Sequence, residues 1–280
     1  SEEVFLVPAR LLHLVRHVSG WGEKRIIHPR RRALKLLFMA CSALDVKPEL
    51  DFEREEEIIY RITEKMAIDM DVEDSGSLEG LGERLEQQEY DIVHISGHAD
   101  IDKKGRPFFI MEDEMGKRRD VFPHELWKKA LLNNPPRLLF LSGCRTGETP
   151  DTDNGAAVSF ARRLVEKYQL PAVLGWGRPV SDKQATHAEK IIYGKLSHGK
   201  SILKAVQLAR YELKEKFAAS LNPSWPLLRL FSSGVPLNQI VVKGRRLYPH
   251  PTKLKYIYLK NSNVKVLKEG FVGRRRQLQQ

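Results

Sequence analysis

Two side chains that can carry out acyl transfer each follow an apolar, strand-like run of the sequence. His98 lies in HISGHAD (94–100), and Cys144 lies in LSGCRTG (141–147). A cysteine thiolate attacks a carbonyl carbon, and an imidazole within reach gives a proton to the leaving amine. The two motifs therefore predict nucleophilic catalysis by Cys144 with His98 as its acid and base.

Small residues border both side chains. Gly143 leaves room for a substrate to approach the backbone, and the amides of Ala99 and Cys144 are candidates for binding an oxyanion. The alternative for a lone cysteine after an apolar strand is a small buried hydrophobe, which is how we interpret Cys41. His94 lies inside its strand between Val and Ile, and we interpret it as a core histidine.

Short apolar runs separated by helical patterns predict the elements that hold these residues. The runs are KLLFMAC (35–41), AIDMDV (67–72), YDIVHIS (90–96), RLLFLS (137–142) and PAVLGW (171–176). Strands that alternate with helices of 10 to 15 residues indicate right-handed βαβ units. The predicted fold class is therefore α/β, a three-layer sandwich with a mainly parallel sheet and helices on both faces.

One gap between strands has no helical pattern. KKGRPFFIMEDEMGKRRDV places Gly105 and Gly116 around a strand-like stretch, which predicts an inserted β-hairpin. Strands separated only by this hairpin and one helix are expected to be neighbours. Reacting groups collect at the carboxyl ends of parallel strands, so His98 and Cys144 are expected to meet there.

Composition excludes several classes of protein. The chain has 280 residues, of which 41% are hydrophobic and 30% charged, and only two are cysteines. Two cysteines outside any CxxC pair give no disulfide framework, and we predict neither a metal site nor a cofactor. No apolar run reaches the roughly 18 residues of a membrane span, and SEEVFLVPAR lacks the layout of a secretory signal. These observations predict a cytoplasmic protein without membrane contact.

The net charge of +11 is concentrated at the two ends of the chain. Residues 1–35 hold eight basic and three acidic residues, and residues 243–280 hold eleven and one. The part between them is slightly acidic and has no nucleic-acid recognition motif, which disfavours specific nucleic-acid binding. We predict a leader or peripheral helix over 1–34, a main domain over 35–242 and a basic linker over 243–280.

The motifs around His98 and Cys144 resemble those of caspase-like cysteine proteases of clan CD, and more narrowly the separase-related CHAT domain. The resemblance runs in order through YDIVHISGHAD, RLLFLSGCRTG, GAAVSFARRLV, PAVLGWGRPVSDKQAT, IIYGKLSHGKSILKAVQLAR and PSWPLLRLF, about residues 35–235. It implies that His98 and Cys144 form a catalytic dyad acting on a protein substrate. The family commonly has Gly where this chain has Ala99.

The resemblance also implies substrate-binding positions. Asp182 matches an acidic position that faces the first substrate pocket in separase-like relatives, which favours a basic residue before the scissile bond. Trp176, which ends the strand before it, and Gly143 are also assigned to substrate binding. The alternative for Asp182 is a first-turn charge or cap at the start of a helix.

The last residues carry a second resemblance. GFVGRRRQLQQ (270–280) is similar to the phrase that opens the ATPase module of STAND proteins such as NB-ARC proteins. It implies an N-terminal effector that self-associates through a missing ATPase domain, in a bacterial defence or signalling protein. The alternative is a plain basic tail.

Three functions remain open at this point. The first is a cysteine endopeptidase regulated by the polar loop ETPDTDNG (148–155). The second is a catalytically silent, caspase-like interaction module that acts through assembly. The third is a nucleotide- or nucleic-acid-binding α/β domain, which lacks a GxGxxG or P-loop after its first strand.

Overall fold

Ten strands and six α-helices form the parts of the chain that the computed structural model describes, which are residues 13–20, 23–47, 52–142, 155–178, 180–218 and 223–242. The strands are β1 (Arg16–His17), β2 (Leu34–Ala40), β3 (Ile68–Glu73), β4 (Ile92–Ser96), β5 (His98–Ile101), β6 (Pro107–Glu112), β7 (Arg118–Val121), β8 (Leu138–Ser142), β9 (Ala172–Trp176) and β10 (Leu228–Ser232). The helices are α1 (Phe52–Thr63), α2 (Leu78–Gln87), α3 (Pro123–Leu126), α4 (Gly155–Tyr168), α5 (Asp182–Ser197) and α6 (Ile202–Lys216). None of these helices is long and apolar enough to cross a membrane.

Seven of the strands form a central sheet in the order β1-β10-β9-β8-β4-β2-β3. All neighbours in it run parallel except β9 and β10, which are antiparallel. The predicted mainly parallel sheet is therefore confirmed. The expected pairing of the strands that precede His98 and Cys144 is also found, because β4 pairs with β8 and Ser96 lies opposite Ser142.

The sheet is buried on both faces, which explains the continuous apolar runs. In β2, Leu36 and Phe38 point into one core, while Leu37 and Met39 point into the other. Helices α1, α5 and α6 cover the first face, and α2 and α4 cover the second. Two apolar cores on opposite faces of one sheet make the predicted three-layer sandwich.

The segment before β2 differs from its prediction as a leader or peripheral helix. In residues 13–20 and 23–33 the chain is not helical, and Arg16–His17 pair in parallel with β10. The Val18 N–H donates to the Ser232 carbonyl at 2.9 Å, and the buried Arg210 guanidinium donates to the Leu14 carbonyl at 2.7 Å. The edge of β10 has backbone groups to satisfy, so the segment becomes an edge strand.

A small second sheet is inserted between β4 and β8. The predicted hairpin is present as β6 and β7, with Gly116 in its turn at a φ of 70° and Gly105 in the turn before β6 at a φ of 73°. A third strand, β5, joins it in the order β5-β6-β7 and begins at His98 itself. The insertion therefore starts at the predicted histidine.

Gly97 is the single residue that links β4 of the central sheet to β5 of the inserted sheet. A Cβ atom on Gly97 would lie 2.7 Å from Cε1 of Phe109 and 3.2 Å from the Cβ of Cys41. A distance of 2.7 Å is shorter than real Cβ contacts, 3.2 Å is tighter than most of them, and both neighbours are buried. Glycine is required here so that the inserted sheet can pack against the end of β4.

An ionic cluster fixes the opposite, amino end of the same strands. Asp91, fully buried just before β4, pairs with Arg32 and accepts a hydrogen bond from Arg137 at 2.8 Å. It also accepts the backbone N–H of Lys35 at 2.9 Å. One carboxylate thus ties together the segments that enter β2, β4 and β8.

We expect Asp91→Asn to lower the free energy of unfolding by about 3 kcal/mol, because two arginines lose their buried counter-charge. Urea denaturation followed by circular dichroism measures the change. Asp120→Asn, at an exposed pair with Arg118, is the control and should stay within about 1 kcal/mol of the parent. Equal effects of the two substitutions would show that the Asp91 cluster adds nothing to stability.

We expect Gly97→Ala to destabilise the chain by about 1–3 kcal/mol through overpacking against Phe109. The matched control is Gly194→Ala inside α5, where the nearest atom to a new Cβ is 3.5 Å away. Removing a helical glycine should leave stability unchanged or raise it by up to about 1 kcal/mol. The same urea experiment separates the two, and a neutral Gly97→Ala would contradict the packing argument.

Candidate active site

Strands β4, β8 and β9 all end at one edge of the central sheet, since they run parallel. Backbone hydrogen bonds hold this edge together. The Cys41 N–H donates to the Ser96 carbonyl at 2.7 Å, and the Gly97 N–H donates to the Ser142 carbonyl at 3.1 Å. The ends of β4 and β8 are therefore fixed against each other, as a shared site requires.

His98 leaves this edge as the first residue of β5. It lies opposite Ile110 of β6, and only 6% of its surface is exposed. Ala99 follows opposite Phe109 with 2% exposed. Pairing with β6 therefore restrains the backbone on which the imidazole is mounted. A restrained histidine at a strand end suits a group that must meet a partner in one geometry.

Gly143 and Cys144 lie outside the described residues, as does most of the predicted loop over 148–155. Strand β8 ends at Ser142, two residues before Cys144 in the sequence. The dyad and the oxyanion positions Ala99 and Cys144 stay predictions.

Asp182 begins α5, six residues after the end of β9, and is exposed. Ser181 precedes it as N-cap, and the Ser181 backbone N–H donates to Oε1 of Gln184 at 3.4 Å in a capping box. The cap is thus provided without Asp182, although its charge suits the helix N-terminus. The assignment of Asp182 to a substrate pocket stays a prediction.

Trp176 is a core residue, which corrects its assignment as a substrate-binding side chain. Only 1% of it is exposed, and it packs in the core on the face covered by α5 and α6. A large apolar ring that follows a buried strand gains more from packing there than at a pocket wall. In this structure it offers no surface to a substrate.

His94 is fully buried, as the sequence indicated, but both of its ring nitrogens face polar side chains. Its Nδ1 and the hydroxyl of Tyr193 lie 2.7 Å apart, and its Nε2 lies 3.9 Å from Oε1 of Glu189. Glu55 completes the group from α1, and its Oε2 accepts the Ser96 hydroxyl at 2.8 Å. His94 lies two residues before the end of β4, so the cluster is just beneath that strand end.

Burial shifts the proton affinities in this cluster. It lowers the pKa of His94 to about 3, so the imidazole is neutral. It raises the pKa of Glu189 well above the ordinary value, and the charges of Glu55 and Asp182 raise it further. The pKa of Tyr193 is raised by burial and then by the charges of Glu189 and Glu55.

Sequence reasoning missed Glu55, Glu189 and Tyr193. One signal was available, because Glu189 falls on the face of α5 that carries Ala185 and Ile192. An acidic residue on the apolar face of a helix is rare unless it has a partner.

The chain matches the CHAT domain family model over residues 9–225. Among solved structures, it is similar to caspase-1 from Spodoptera frugiperda, with a TM-score of 0.45, 11% identity, and coverage of 83% of this chain and 100% of that one. It is also similar to the Drosophila initiator caspase Dronc, with a TM-score of 0.42, 10% identity, and coverage of 81% and 94%. No curated protein matches the chain.

The family model spans most of the 280 residues. It includes both strand ends that carry the predicted dyad, the inserted sheet and helices α1 to α6. From the match over residues 9–225, this chain belongs to the CHAT domain family.

Proposed function

We propose that this CHAT domain is a cysteine endopeptidase in which Cys144 is the nucleophile and His98 the general acid and base. The observation that supports it most is the backbone hydrogen bond between Gly97 and Ser142 at 3.1 Å. Neighbouring strands lie about 4.8 Å apart, and two residues of chain span at most about 7 Å. Residues 98 and 144 thus start from adjacent strand ends.

The proposed reaction takes place in two halves. The Cys144 thiolate attacks the carbonyl carbon of the scissile peptide bond, and the imidazolium of His98 gives its proton to the leaving amine. The acyl group remains on sulfur as a thioester. His98 then accepts a proton from water as the water attacks the thioester, which releases the new carboxyl terminus and the thiol.

Two further elements belong to the proposal. The N–H groups of Ala99 and Cys144 donate to the oxyanion of each tetrahedral intermediate, and Gly143 allows the substrate backbone to approach. Asp182 binds a basic side chain before the scissile bond.

The cellular setting is part of the proposal as well. Residues 243–280 connect the protease to a STAND-type ATPase domain through which copies self-associate in the cytoplasm, and the setting is bacterial defence. These residues lie outside the described part of the chain. The support is the resemblance of GFVGRRRQLQQ to the start of such modules.

We expect Cys144→Ala to abolish cleavage, with a loss of about 10⁴-fold or more, and His98→Ala to lower it by about 10²–10⁴-fold. The chain and its variants are incubated with a lysate of the source organism, and new protein N-termini are mapped by mass spectrometry. Cys41→Ala is the matched control, because it removes the other cysteine from a buried apolar position. It should leave the new termini unchanged.

Cleavage that survives Cys144→Ala would overturn the protease assignment. Two results together would instead favour the silent interaction module. The new termini are the same with the active chain and without it, and the Cys144→Ala variant retains its function in cells.

We expect the residue before the cut to be Lys or Arg. Asp182→Asn should then reduce kcat/KM for such peptides by about 10- to 100-fold, the worth of a hydrogen bond to a charged group. Glu79→Gln, which neutralises an acid in the first turn of α2, is the control and should not change cleavage. If Asp182→Asn changes stability but not kcat/KM, Asp182 stabilises the start of the helix and does not bind the substrate.

A further inference from the structure

Three ligand-type side chains from three different elements converge beneath the carboxyl edge of β4. They are Glu55 of α1, His94 of β4 and Glu189 of α5. One ligand atom from each lies within 4.8 Å of the other two. Two carboxylates and an imidazole facing one point form a donor set suited to a divalent transition-metal ion.

Two atoms of this cluster are buried and have no hydrogen-bond partner among the described residues. They are Nε2 of His94 and Oε1 of Glu189, which lie 3.9 Å apart. The two side chains are 0% and 3% exposed. A buried polar atom without a partner is costly, and two that face each other point to a ligand between them.

The His94 ring is held so that Nε2 faces the carboxylates. The ring stacks on Phe140 at 4.6 Å between centroids and meets the edge of Phe38 at 5.1 Å. Its Nδ1 lies 2.7 Å from the Tyr193 hydroxyl. Histidine ligands are characteristically oriented through the nitrogen that does not bind the metal, and Tyr193 takes that part here.

The Glu55 carboxylate is oriented in the same way. Its Oε2 accepts the Ser96 hydroxyl at 2.8 Å, two residues beyond His94 on the same strand. Glu55 is only half-buried, which gives an ion a path from solvent.

We propose that Glu55, His94 and Glu189 bind a divalent transition-metal ion of the zinc type. Two carboxylates and a neutral imidazole would make the site electrically neutral with such an ion, so no net charge would be buried. Ligand atoms around zinc lie about 3.4 Å from one another. The distance of 3.9 Å between Nε2 of His94 and Oε1 of Glu189 is about 0.5 Å longer than this value. The half-buried Glu55 supplies the third ligand atom.

The site is independent of the proposed protease chemistry. An ion there would join α1, β4 and α5, and so would stabilise the fold directly below the strand end that carries His98.

The test uses the full chain with Cys144→Ala, so that the thiol at the proposed catalytic site does not hold metal. After treatment with a chelator, the protein is titrated with Zn²⁺ while thermal unfolding is followed, and with Co²⁺ while its visible absorption is recorded. We expect one ion per chain, a higher melting temperature and d–d bands that report nitrogen and oxygen ligands.

Variants give the result its specificity. Glu189→Gln should weaken Zn²⁺ binding by at least about tenfold, and Tyr193→Phe by about 10- to 100-fold through loss of ligand orientation. Glu112→Gln, at a buried glutamate that accepts the Ser42 N–H, is the control and should bind as the parent does. Without metal, Glu189→Gln should unfold at about the same temperature as the parent, because burial already favours the uncharged form of this carboxyl and Gln has the same shape.

Two outcomes would overturn the proposal. In one, the chelator-treated chain takes up neither Zn²⁺ nor Co²⁺, and the cluster is a proton-sharing group. In the other, Glu189→Gln binds Zn²⁺ as tightly as the parent, and the ion is held elsewhere. Neither outcome bears on the protease assignment, which rests on Cys144 and His98.

Discussion

The position of β4 between β2 and β8 is the constraint on which the rest of the structure depends. All five of its residues are buried, so its backbone groups must be satisfied by partners on both edges. That requirement fixes the register along its whole length. At one end Asp91 joins three strand entries through its arginines, and at the other Gly97 donates to Ser142. Whatever follows Gly97 is therefore held relative to whatever follows Ser142.

The sequence predicts the sheet well because its signal is local. Each apolar run reflects burial on two faces, and each helix between runs shows its own periodicity. The predicted helix is not found in residues 13–20 and 23–33 for the opposite reason: Leu11 to Val18 is apolar, but Arg16 and His17 pair with a strand more than two hundred residues later. Pairing at such separation leaves no local pattern. Likewise, the sequence does not distinguish a tryptophan at a strand end that lines a pocket from one that packs in the core.

The prediction of no metal site rested on the spacing of cysteines, and cysteine spacing is silent about carboxylates. Glu55, His94 and Glu189 lie on a helix, a strand and another helix, and only the packing of α1 and α5 against β4 brings them together. No motif joins them in the sequence. By contrast, His98 could be predicted because it directly follows an apolar strand, and the small residues Gly97 and Ala99 on either side of it indicate where that strand ends.

The start of α5 and the cluster of Glu55, His94 and Glu189 interact electrostatically. Asp182 and Glu189 are seven residues apart on α5, two turns along the same face, and the charge of Asp182 contributes to the raised pKa of Glu189. That contribution comes after burial and after the charge of Glu55. The negative charge at the start of α5 therefore favours the protonated form of Glu189 in the buried cluster. This helix contacts the strand that leads to His98 through the Tyr193 hydroxyl, which lies 2.7 Å from Nδ1 of His94.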